Sequence, residues 1–506
     1  MMQVGSRENP LRVAIVGSGP AGFYTAEHLV KEAGLAVEID MYDRLPTPFG
    51  LVRGGVAPDH QKIKTVTKTY DKMARRPNFR FFGYVEFGTD VTVADLRDYY
   101  HQIVYCTGAQ TDREMGIPGE NLKGSHAATE FVAWYNGHPD YRHYEFDLSQ
   151  ESAAVIGIGN VAVDACRILC RTPEELHKTD IADYALDALA KSRIKKVYMI
   201  GRRGPAQAAF TNPELKELGE MADAEVLIPP DEAELDPLSK AEVERSNDKG
   251  TERRVELLQA YACHRPTGKS RQLVLRFLAS PVELVANGAG RVVRMRLVKN
   301  ELYEEKDGSL RPKATGKFEE LDVGLVFRSV GYRGVPLPGV PFHQKWGVIP
   351  NEKGRVVEPE TKTPVVGEYV AGWIKRGPSG VIGTNKPDAG ETVVCMLEDL
   401  ARGAILSASH PEVTAAETFV RQRKPTFFSY QDWLRLDEIE TARGKEVGRP
   451  RLKFTRVEDM LAALGRWVCG PPPSPYTPRH SRPRARAPVA CCASCVANTT
   501  RVFRRS

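Results

Sequence analysis

The sequence lacks the features that mark membrane and secreted proteins. Its 506 residues contain no apolar run near the roughly 20 residues that a membrane-spanning helix requires. Residues 1–9 have neither the apolar core of a secretory signal nor the length of a transit peptide. A hydrophobic content of 42% suffices for two or three domains with their own cores. We therefore expect a cytoplasmic protein that does not bind membranes, from a bacterium or, after processing, from an organelle.

Cysteine is scarce and irregularly spaced. The chain has nine cysteines, an odd number that argues against a disulfide framework. Cys166 and Cys170 share a predicted helix face, but no further ligands accompany them, so we expect core residues and no metal site. Cys492 and Cys495 form a C-x-x-C within an Arg- and Pro-rich segment, where a thiol redox centre is not expected.

Acidic residues are absent from residues 466–506, which contain eight arginines and many prolines. Because the whole chain carries a net charge of +6, the remainder carries −2, and the basic excess belongs to this tail. The tail has no periodic apolar pattern, so we expect it to be disordered. It is either a frameshifted or read-through end or a basic arm for nucleic acid or an acidic partner. We favour the first origin and expect no nucleic-acid binding.

What the chain does contain is two glycine-rich turns that lie 140 residues apart. The first follows a predicted buried strand at residues 11–16 and opens a predicted helix from 21 to about 33. Its glycines permit a tight turn, a close approach to a pyrophosphate and close helix packing, and the helix N-terminus favours anions. The residues expected to form this nucleotide site are Gly17, Gly19, Ala21 and Gly22.

The residue at the end of the next strand indicates which nucleotide the first turn binds. Asp43 ends the predicted strand at 37–42, where a carboxylate accepts hydrogen bonds from an adenosine ribose. This acid fits FAD or NAD and argues against a 2′-phosphate. Glycine-rich turns also serve as bare connections, but the strand, the helix and the acid together favour a nucleotide site.

The second turn has a different ending. Gly157 and Gly159 follow a predicted strand at 153–156, and Ala162 replaces the third glycine, as this fingerprint permits. The next strand leads to Arg202 and Arg203, so the ribose-binding acid is absent. A basic pair is often only a solvated face, but two guanidinium groups at this position favour the 2′-phosphate of NADP.

Several longer stretches resemble one family in particular. These are residues 45–60, 159–164, 201–205, 209–211, 329–332 and 372–384. From about residue 10 to 465 the chain is similar to the adrenodoxin reductase family of NADPH-ferredoxin reductases, of the actinobacterial type. The resemblance implies an α/β fold with two Rossmann-like dinucleotide-binding domains, the NADPH domain being inserted into the FAD domain.

The resemblance also implies domain boundaries. Residues 10–108 and 336–465 would form the FAD-binding domain, 109–335 the NADPH-binding domain, and 466–506 a basic tail. The sequence itself supports these crossings, because apolar strands run into glycine near Gly108 and Gly331.

Family roles carry over to matching positions. The resemblance places the FAD contacts at Ala21, Asp43, Leu51, Val85, Trp373, Gly380, Val381 and Ile382. It places the NADP contacts at Asn160, Val161, Ala162, Val163, Arg202, Arg203, Glu214 and Gly380. Many members have Glu in place of Asp43, a change that keeps the chemistry. At Gly380 the missing Cβ would let the nicotinamide stack close to the flavin, although a plain turn glycine is the alternative.

His60 and Asp164 are the candidate catalytic residues. A histidine and a carboxylate near the flavin could relay the proton that accompanies flavin reduction. The alternative makes His60 a helix-capping or ribityl-contacting group and Asp164 a hydrogen-bonded anchor. The sequence does not decide between these two readings.

The resemblance implies that NADPH gives a hydride to FAD and that single electrons then pass to a ferredoxin, a small acidic iron–sulfur protein. An acidic partner would need a basic docking face, and we expect the enzyme to be a monomer. The candidate docking cations are Arg53, Lys62, Lys64, Lys68, Arg253, Arg254 and Arg271. The alternatives are a disulfide reductase, whose cysteine pair near the flavin is missing, a flavin monooxygenase and, more weakly, a non-enzymatic scaffold.

Overall fold

Two parallel sheets, each built around one of the glycine-rich turns, form the main body of the protein. The computed structural model describes residues 3–410 and 412–466, and these belong to one compact unit. The predicted tail therefore lies outside the described residues, except for Arg466. None of the helices in the described ranges is both long enough and apolar enough to cross a lipid bilayer.

In the described part of the chain most strands are short, and two long strands form a hairpin. In chain order they are β1 (Leu11–Val16), β2 (Val37–Asp43), β3 (Phe79–Gly83), β4 (Gln102–Tyr105), β5 (Thr111–Asp112), β6 (Ser125–Ala127), β7 (Ser152–Ile156), β8 (Lys196–Ile200), β9 (Ala224–Leu227), β10 (Arg271–Arg276), β11 (Ala279–Ala286), β12 (Val292–Glu304), β13 (Leu310–Asp322), β14 (Leu325–Arg328), β15 (Tyr332–Arg333), β16 (Asn351–Glu352), β17 (Arg355–Val357) and β18 (Pro364–Val370).

The helices connect and cover these strands. They are α1 (Pro20–Lys31), α2 (Leu51–Gly54), α3 (Gln61–Lys64), α4 (Thr67–Ala74), α5 (Val93–Tyr99), α6 (Ala128–Tyr135), α7 (Asn160–Cys170), α8 (Pro173–His177), α9 (Asp183–Ala190), α10 (Asn212–Gly219), α11 (Pro230–Ala233), α12 (Pro237–Ser246), α13 (Lys249–Ala262), α14 (Trp373–Arg376), α15 (Asn385–Ala401), α16 (Ala415–Arg423), α17 (Tyr430–Glu446) and α18 (Val457–Ala463).

The first sheet has seven strands in the order β16-β17-β18-β4-β1-β2-β3. The five strands from β18 to β3 are parallel, and β16 and β17 are antiparallel additions at one edge. β1 lies between β4 and β2, so the chain reverses direction across the sheet at this strand. Such a switch point is where open parallel sheets bind ligands.

The second sheet has six parallel strands in the order β6-β14-β7-β8-β10-β9, and β7 occupies the corresponding switch point. All of its strands come from residues 125–328, whereas the first sheet uses residues 11–105 and 351–370. The fold is therefore two Rossmann-like parts, one inserted into the other, as expected from the sequence.

The two crossings between these parts pair with each other. Tyr332 and Arg333 of β15 lie antiparallel to Asp112 and Thr111 of β5, forming a separate two-stranded sheet. A second small sheet, β11-β12-β13, is antiparallel and contains the long β12–β13 hairpin.

Both faces of each parallel sheet are covered. Alternate residues of β1 point into two different core clusters, and the same is true of β7. Parallel sheets occur almost only with both faces buried, which explains the continuous apolar runs of these strands. Cys166 and Cys170 lie in the core of the inserted part with no disulfide partner, as predicted, and burial raises the pKa of Cys170 to about 12.

Arg466, the first residue of the predicted tail, packs onto the body. It donates to the Asp432 carboxylate at 2.8 Å and to the carbonyl of Phe427 at 2.8 Å, and its guanidinium lies over the Phe428 ring. The ordered contacts of the chain thus extend at least one residue beyond Gly465.

A buried carboxylate on α17 ties the C-terminal part to the first glycine-rich half. Glu440 is fully buried and accepts from Arg53 at 2.8 and 2.5 Å and from Arg451 at 3.1 Å. The backbone N–H of Phe454 donates to the same carboxylate at 2.8 Å. Burial opposes ionisation of Glu440, but the two arginines outweigh it and lower its pKa.

Replacing Glu440 with Gln should destabilise the protein, because it removes the carboxylate that Arg53 bonds and one of the two carboxylates that Arg451 bonds, the other being Asp437. We expect a loss of about 3 kcal/mol in urea unfolding near neutral pH. Because the folded-state pKa is lowered, the stabilising contribution is present above the unfolded-state pKa of about 4.3 and is lost as pH falls through the folded value.

Glu446 on the same helix is exposed and serves as the matched control. Glu446→Gln should leave the unfolding midpoint unchanged. Equal midpoints for Glu440→Gln and Glu446→Gln would contradict the role assigned to Glu440.

Candidate active site

In the first glycine-rich turn, Gly17 and Gly22 lie close to other backbone atoms, whereas Gly19 faces open space. Gly17 has φ +110°, and a Cβ there would lie 2.5 Å from the carbonyl oxygen of Cys106. A Cβ at Gly22 would overlap the carbonyl of Gly17, whereas one at Gly19 would meet no described atom within 4 Å. The turn is therefore tight, closely packed on its strand and open at the position where a phosphate would approach.

The second turn repeats this arrangement. A Cβ at Gly157 would overlap the carbonyl of Ser329, and one at Gly159 would face open space. Ala162 and Val163 are fully buried and belong to the core of the inserted part. The Asn160 side chain accepts a hydrogen bond from the backbone N–H of Thr211 at 2.9 Å, which fixes its orientation at the start of α7.

Both helices that follow the turns begin without a side-chain cap. Gly19 and Gly159 are the N-cap residues of α1 and α7, and neither offers a side chain to the free N–H groups of the first turn. Uncapped N-termini with open space in front of them fit the phosphates of a dinucleotide.

Asp43 lies beside the first turn, as the sequence predicted. Its Oδ2 accepts from the backbone N–H of Ser18 at 2.9 Å and from the Ser18 hydroxyl at 2.5 Å. Its Oδ1 accepts from the N–H of Leu45 at 2.9 Å. Three of the carboxylate's acceptor positions are used, which holds it rigidly and leaves capacity for a ribose hydroxyl.

Two of the other predicted FAD residues line the first turn. A Cβ at Gly50 would lie 2.9 Å from Cα of Gly19, so Leu51 sits next to the open position, and its side chain is 42% exposed. Ala21 contacts the backbone at Gly372, directly before Trp373. An exposed leucine beside an open turn is the kind of surface that a bound flavin would cover.

Val85, another of the predicted FAD contacts, has a buried side chain. Its side chain is 1% exposed and belongs to the core, and its N–H donates to the carbonyl of Asp43 at 2.9 Å. Val85 therefore supports the strand end that carries Asp43.

The loop that follows α14 comes close to the inserted part. Trp373 donates from Nε1 to the carbonyl of Ser379 at 3.1 Å, and its ring lies 5.5 Å from that of Tyr332 in the second crossing. Gly380 has φ +77°, and a Cβ there would overlap the Thr384 hydroxyl. The need for glycine thus arises within the loop itself, in addition to the close stacking expected from the sequence.

Val381 and Ile382 complete this loop. The Val381 side chain is 53% exposed and Ile382 is half-buried against the core of the first part. Apolar side chains are thus presented on the loop between the two glycine-rich turns.

Arg202 and Arg203, here called the arginine pair, follow β8 at the carboxyl edge of the second sheet. Within residues 3–410 and 412–466 neither forms an ion pair with a carboxylate. Burial lowers the pKa of Arg203, and repulsion from Arg202 and Arg311 lowers it further, while Glu242 opposes the shift. The charges of two further guanidinium groups and one carboxylate act on Arg203, and this excess of positive charge fits a 2′-phosphate.

The predicted catalytic residues come together in a buried cluster around Arg167. Arg167 is fully buried and donates to Asp164 at 2.7 Å, to Asp59 at 2.6 and 3.1 Å, and to Glu214 at 3.0 Å. His60 Nδ1 lies 3.8 Å from Asp164 Oδ1, and His60 Nε2 lies 3.5 Å from Glu214 Oε2. The cluster joins the loop before α3 to α7 and α10, and so joins the two parts of the fold.

The strongest contact of His60 is with Glu217, a residue that the sequence analysis did not single out. Nε2 lies 2.6 Å from Glu217 Oε2, and Nδ1 lies 3.4 Å from the Arg167 guanidinium. Because a guanidinium only donates, Nδ1 accepts and the neutral imidazole carries its proton on Nε2. His60 is the N-cap residue of α3, but its ring makes no capping hydrogen bond to that helix.

The cluster shifts several pKa values. Burial lowers the pKa of His60, but the hydrogen bond to Glu217 and the charges of Asp164 and Glu214 outweigh burial and Arg167, so the net shift is upward. Burial raises the pKa of Asp164 to about 6, against the opposing charge of Arg167. Burial acts the same way on Asp59, but Arg167 outweighs it there and lowers the pKa. The pKa values of His60 and Asp164 are thus both raised.

His60, Glu214 and Glu217 also offer three ligand atoms within 4.8 Å of one another. However, Arg167 already contacts Glu214 at 3.0 Å and Glu217 at 3.5 Å. A second cation would have to be accommodated beside this guanidinium. The positive charge already present in this cluster is that of Arg167.

Arg167 and Glu217 carried a weak sequence signal. Each follows a predicted site residue by three positions on the same helix, where side chains share a face. Arg311 gave no such signal, because it lies on the β12–β13 hairpin, 108 residues after Arg203.

Four of the expected docking cations are used inside the protein. Arg53 bonds Glu440 and Lys64 bonds Asp180 at 2.7 Å. Arg254 donates to Thr251, and Arg271 donates to the carbonyls of residues 170 and 171. The expectation that these four form a free basic face is wrong, because buried carboxylates, a hydroxyl and helix-end carbonyls take up their donors. The exposed members of the set are Lys62, Lys68 and Arg253.

Comparison with known proteins identifies the family of this chain. Residues 11–202 match the family described as Pyridine nucleotide-disulphide oxidoreductase. NADPH-ferredoxin reductase FprA of Mycobacterium tuberculosis is 45% identical over 460 residues, which cover 89% of this chain and 98% of that protein. The human mitochondrial NADPH:adrenodoxin oxidoreductase is 41% identical over 470 residues, covering 91% and 93%.

A solved structure of Mycobacterium tuberculosis FprA in complex with NADPH superposes with a TM-score of 0.85 at 43% identity, covering 90% of this chain and all of that one. The chain therefore belongs to the adrenodoxin reductase family of NADPH-ferredoxin reductases, of the actinobacterial type.

Proposed function

We propose that this protein is an FAD-dependent ferredoxin–NADP⁺ oxidoreductase that takes electrons from NADPH and passes them to a ferredoxin. The proposal rests on two open glycine-rich turns, each followed by an uncapped helix, that have different charged side chains beside them. The carboxylate of Asp43 suits a ribose, and the unpaired guanidinium groups of the arginine pair suit a 2′-phosphate. Family membership supports the same assignment.

The residues divide between the two nucleotides as follows. We assign FAD to the turn of Gly17, Gly19, Ala21 and Gly22 with Asp43, Leu51, Val85, Trp373, Gly380, Val381 and Ile382. We assign NADPH to Gly157, Gly159, Asn160, Val161, Ala162, Val163, Arg202, Arg203 and Glu214, with Gly380 contacting both. The domain boundaries at 108/109, 335/336 and 465/466 belong to this proposal, and they agree with the residues that build each parallel sheet.

When bound, FAD supplies the exchange between a two-electron donor and a one-electron acceptor. The protein contributes position and protection. The Tyr332 and Trp373 rings bring the loop of Gly380 against the inserted part, where the two nucleotides would meet. Positioning of this kind is worth a large part of the barrier to transfer between bound groups.

We further propose that His60 and Asp164 handle the proton that accompanies NADPH oxidation. The proton on His60 Nε2 is shared with Glu217 across 2.6 Å, and a second proton on Nδ1 would face Asp164 at 3.8 Å. Arg167 holds both residues in place. The raised pKa values keep protons on this cluster at pH values where an ordinary carboxylate would be ionised.

The electron acceptor in our proposal is a small acidic iron–sulfur protein. Lys62 and Lys68 are exposed and lie on α3 and α4, directly after His60, so they present positive charge next to the redox site. We propose that the enzyme acts as a monomer in the cytoplasm and binds neither membranes nor nucleic acid. The five cysteines in the described ranges are free thiols, which suits a reducing compartment.

The alternatives within the same fold are less well supported. A disulfide reductase needs two neighbouring cysteines at the flavin, and Cys106, next to Gly17, has no cysteine partner among the residues that the structure describes. A flavin monooxygenase remains the second candidate, since the same two turns would serve it. The acceptor of the electrons separates these functions.

Stopped-flow reduction of the bound flavin tests the function itself. NADPH should reduce it with a kcat/KM at least about tenfold above that of NADH, because only NADPH engages the arginine pair. Reoxidation should be fast with a ferredoxin and slow with oxygen or a disulfide substrate. Preference for NADH, or rapid turnover with oxygen or a disulfide instead, would contradict the proposal.

The pH dependence of flavin reduction tests the proton relay. Because the pKa of His60 is raised, the protonated imidazole persists above pH 6.5, and the rate should fall as pH rises through that higher value. Glu217→Gln removes the main upward influence, so the falling limb should move to lower pH. His60→Gln retains a donor toward Glu217 but cannot titrate, so this limb should disappear.

A pH profile that is the same in the wild type, His60→Gln and Glu217→Gln would exclude the relay. The flavin content and unfolding midpoint of each variant, measured in parallel, show whether the fold is retained.

Charge reversal tests the docking face. Lys62→Glu should lower the rate of ferredoxin reduction roughly three- to tenfold at low ionic strength, with a smaller effect in 0.5 M salt, because steering by exposed charges is screened. Lys317→Glu makes the same charge change on the exposed strand β13 and should have no effect on this rate. Equal rates for the two variants at low salt would argue against docking at α3.

A further inference from the structure

Asn300 is a buried polar residue in the middle of strand β12. It is 9% exposed, and asparagine is unfavourable both in strands and in buried positions unless it is hydrogen-bonded. Its Nδ2 donates to the carbonyl of Arg202 at 2.9 Å and to the hydroxyl of Ser280 at 2.8 Å. Because a backbone carbonyl only accepts, the amide nitrogen must face Arg202, and both of its hydrogens are used.

The strand is irregular at this residue. The pairing of β12 with β13 shifts between Val298, opposite Phe318, and Asn300, opposite Ala314. Bulges of this kind re-aim a side chain out of the regular pleat. The irregularity therefore occurs at the residue whose side chain leaves the sheet to reach the arginine pair.

Neighbouring backbone groups hold the same segment. The carbonyl of Gly201 accepts from the Ala279 N–H at 3.0 Å. The carbonyl of Arg203 accepts from the Leu278 N–H at 3.1 Å. Leu278 has φ +52°, a strained conformation for leucine, and its own carbonyl accepts from Asn300 N–H at 2.7 Å. Three consecutive carbonyls are fixed in this way, and Asn300 provides the only side-chain donor to them among the described residues.

Electrostatic repulsion is the reason why this backbone segment needs to be fixed. Arg202 and Arg311 both repel Arg203, and the attraction of Glu242 opposes them. Without this restraint on the backbone, repulsion would move the arginine side chains apart. Binding of an anion would then require these side chains to be ordered again. Pre-organisation removes that part of the binding cost.

We propose that Asn300 is a positioning residue for coenzyme selectivity, which holds the Arg202 carbonyl so that the arginine pair is pre-arranged for a 2′-phosphate. Asn300 itself does not touch the coenzyme in this proposal. The inference rests on the proposed function, because it assumes that the arginine pair binds that phosphate.

Binding of two small ligands to the FAD-loaded enzyme tests this inference. Adenosine 2′,5′-bisphosphate and 5′-AMP differ only in the 2′-phosphate, and calorimetry gives a dissociation constant for each. Asn300→Leu has a similar volume and cannot donate. It should weaken the bisphosphate about tenfold and change 5′-AMP by less than about twofold, since only the 2′-phosphate site depends on the pair.

Ser280→Ala is the matched control. It removes the other partner of the Asn300 amide and leaves the bond to Arg202, so both ligands should bind as they do to the wild type. Asn300→Thr is a second variant that suits a strand but is too short to reach the carbonyl, and it should show the same selective loss. Flavin content and thermal unfolding report whether each variant folds.

The outcomes separate the inference from the function on which it rests. If the wild type binds the bisphosphate no better than 5′-AMP, the assignment of NADPH to this site fails. If the wild type discriminates and both Asn300 variants retain its selectivity, only the role of Asn300 fails. An equal loss of both ligands would also overturn the inference, since it would reveal general disruption of the second turn.

Discussion

One buried guanidinium holds the site together. Arg167 is excluded from solvent and donates to Asp59, Asp164 and Glu214, which come from three elements and from both parts of the fold, and Arg171 also donates to Asp59. Three such carboxylates could not stay ionised in the interior without a cation beside them. His60 directly follows Asp59 in the chain, so the same contact that neutralises the cluster also places the imidazole.

The two nucleotide sites share one geometry and differ in one position. Each has a tight first glycine, an open second glycine and an uncapped helix, at the switch point of a parallel sheet. None of this distinguishes one dinucleotide from another. The distinction lies at the end of the next strand, where Asp43 carries a rigidly bonded carboxylate and the arginine pair carries unpaired positive charge.

The sequence was informative where the relevant contacts are local. Turn, strand and Asp43 lie within about 30 residues, so their pattern predicts their arrangement. Glu217 and Asn300 act across long intervals, and only the folded chain shows that they reach His60 and Arg202. The sequence predicted too many docking cations for the same reason. Composition does not show which cations, such as Arg53, are paired with carboxylates inside the protein.

The central claim is that the two turns bind different dinucleotides, with the first holding FAD and the second NADPH. A crystal structure of the holoenzyme with NADP⁺ tests this most directly. The account predicts the FAD ribose within hydrogen-bonding distance of the Asp43 carboxylate and the 2′-phosphate between Arg202 and Arg203. A 2′-phosphate bound away from the arginine pair, or flavin density at the turn of Gly157, would contradict it.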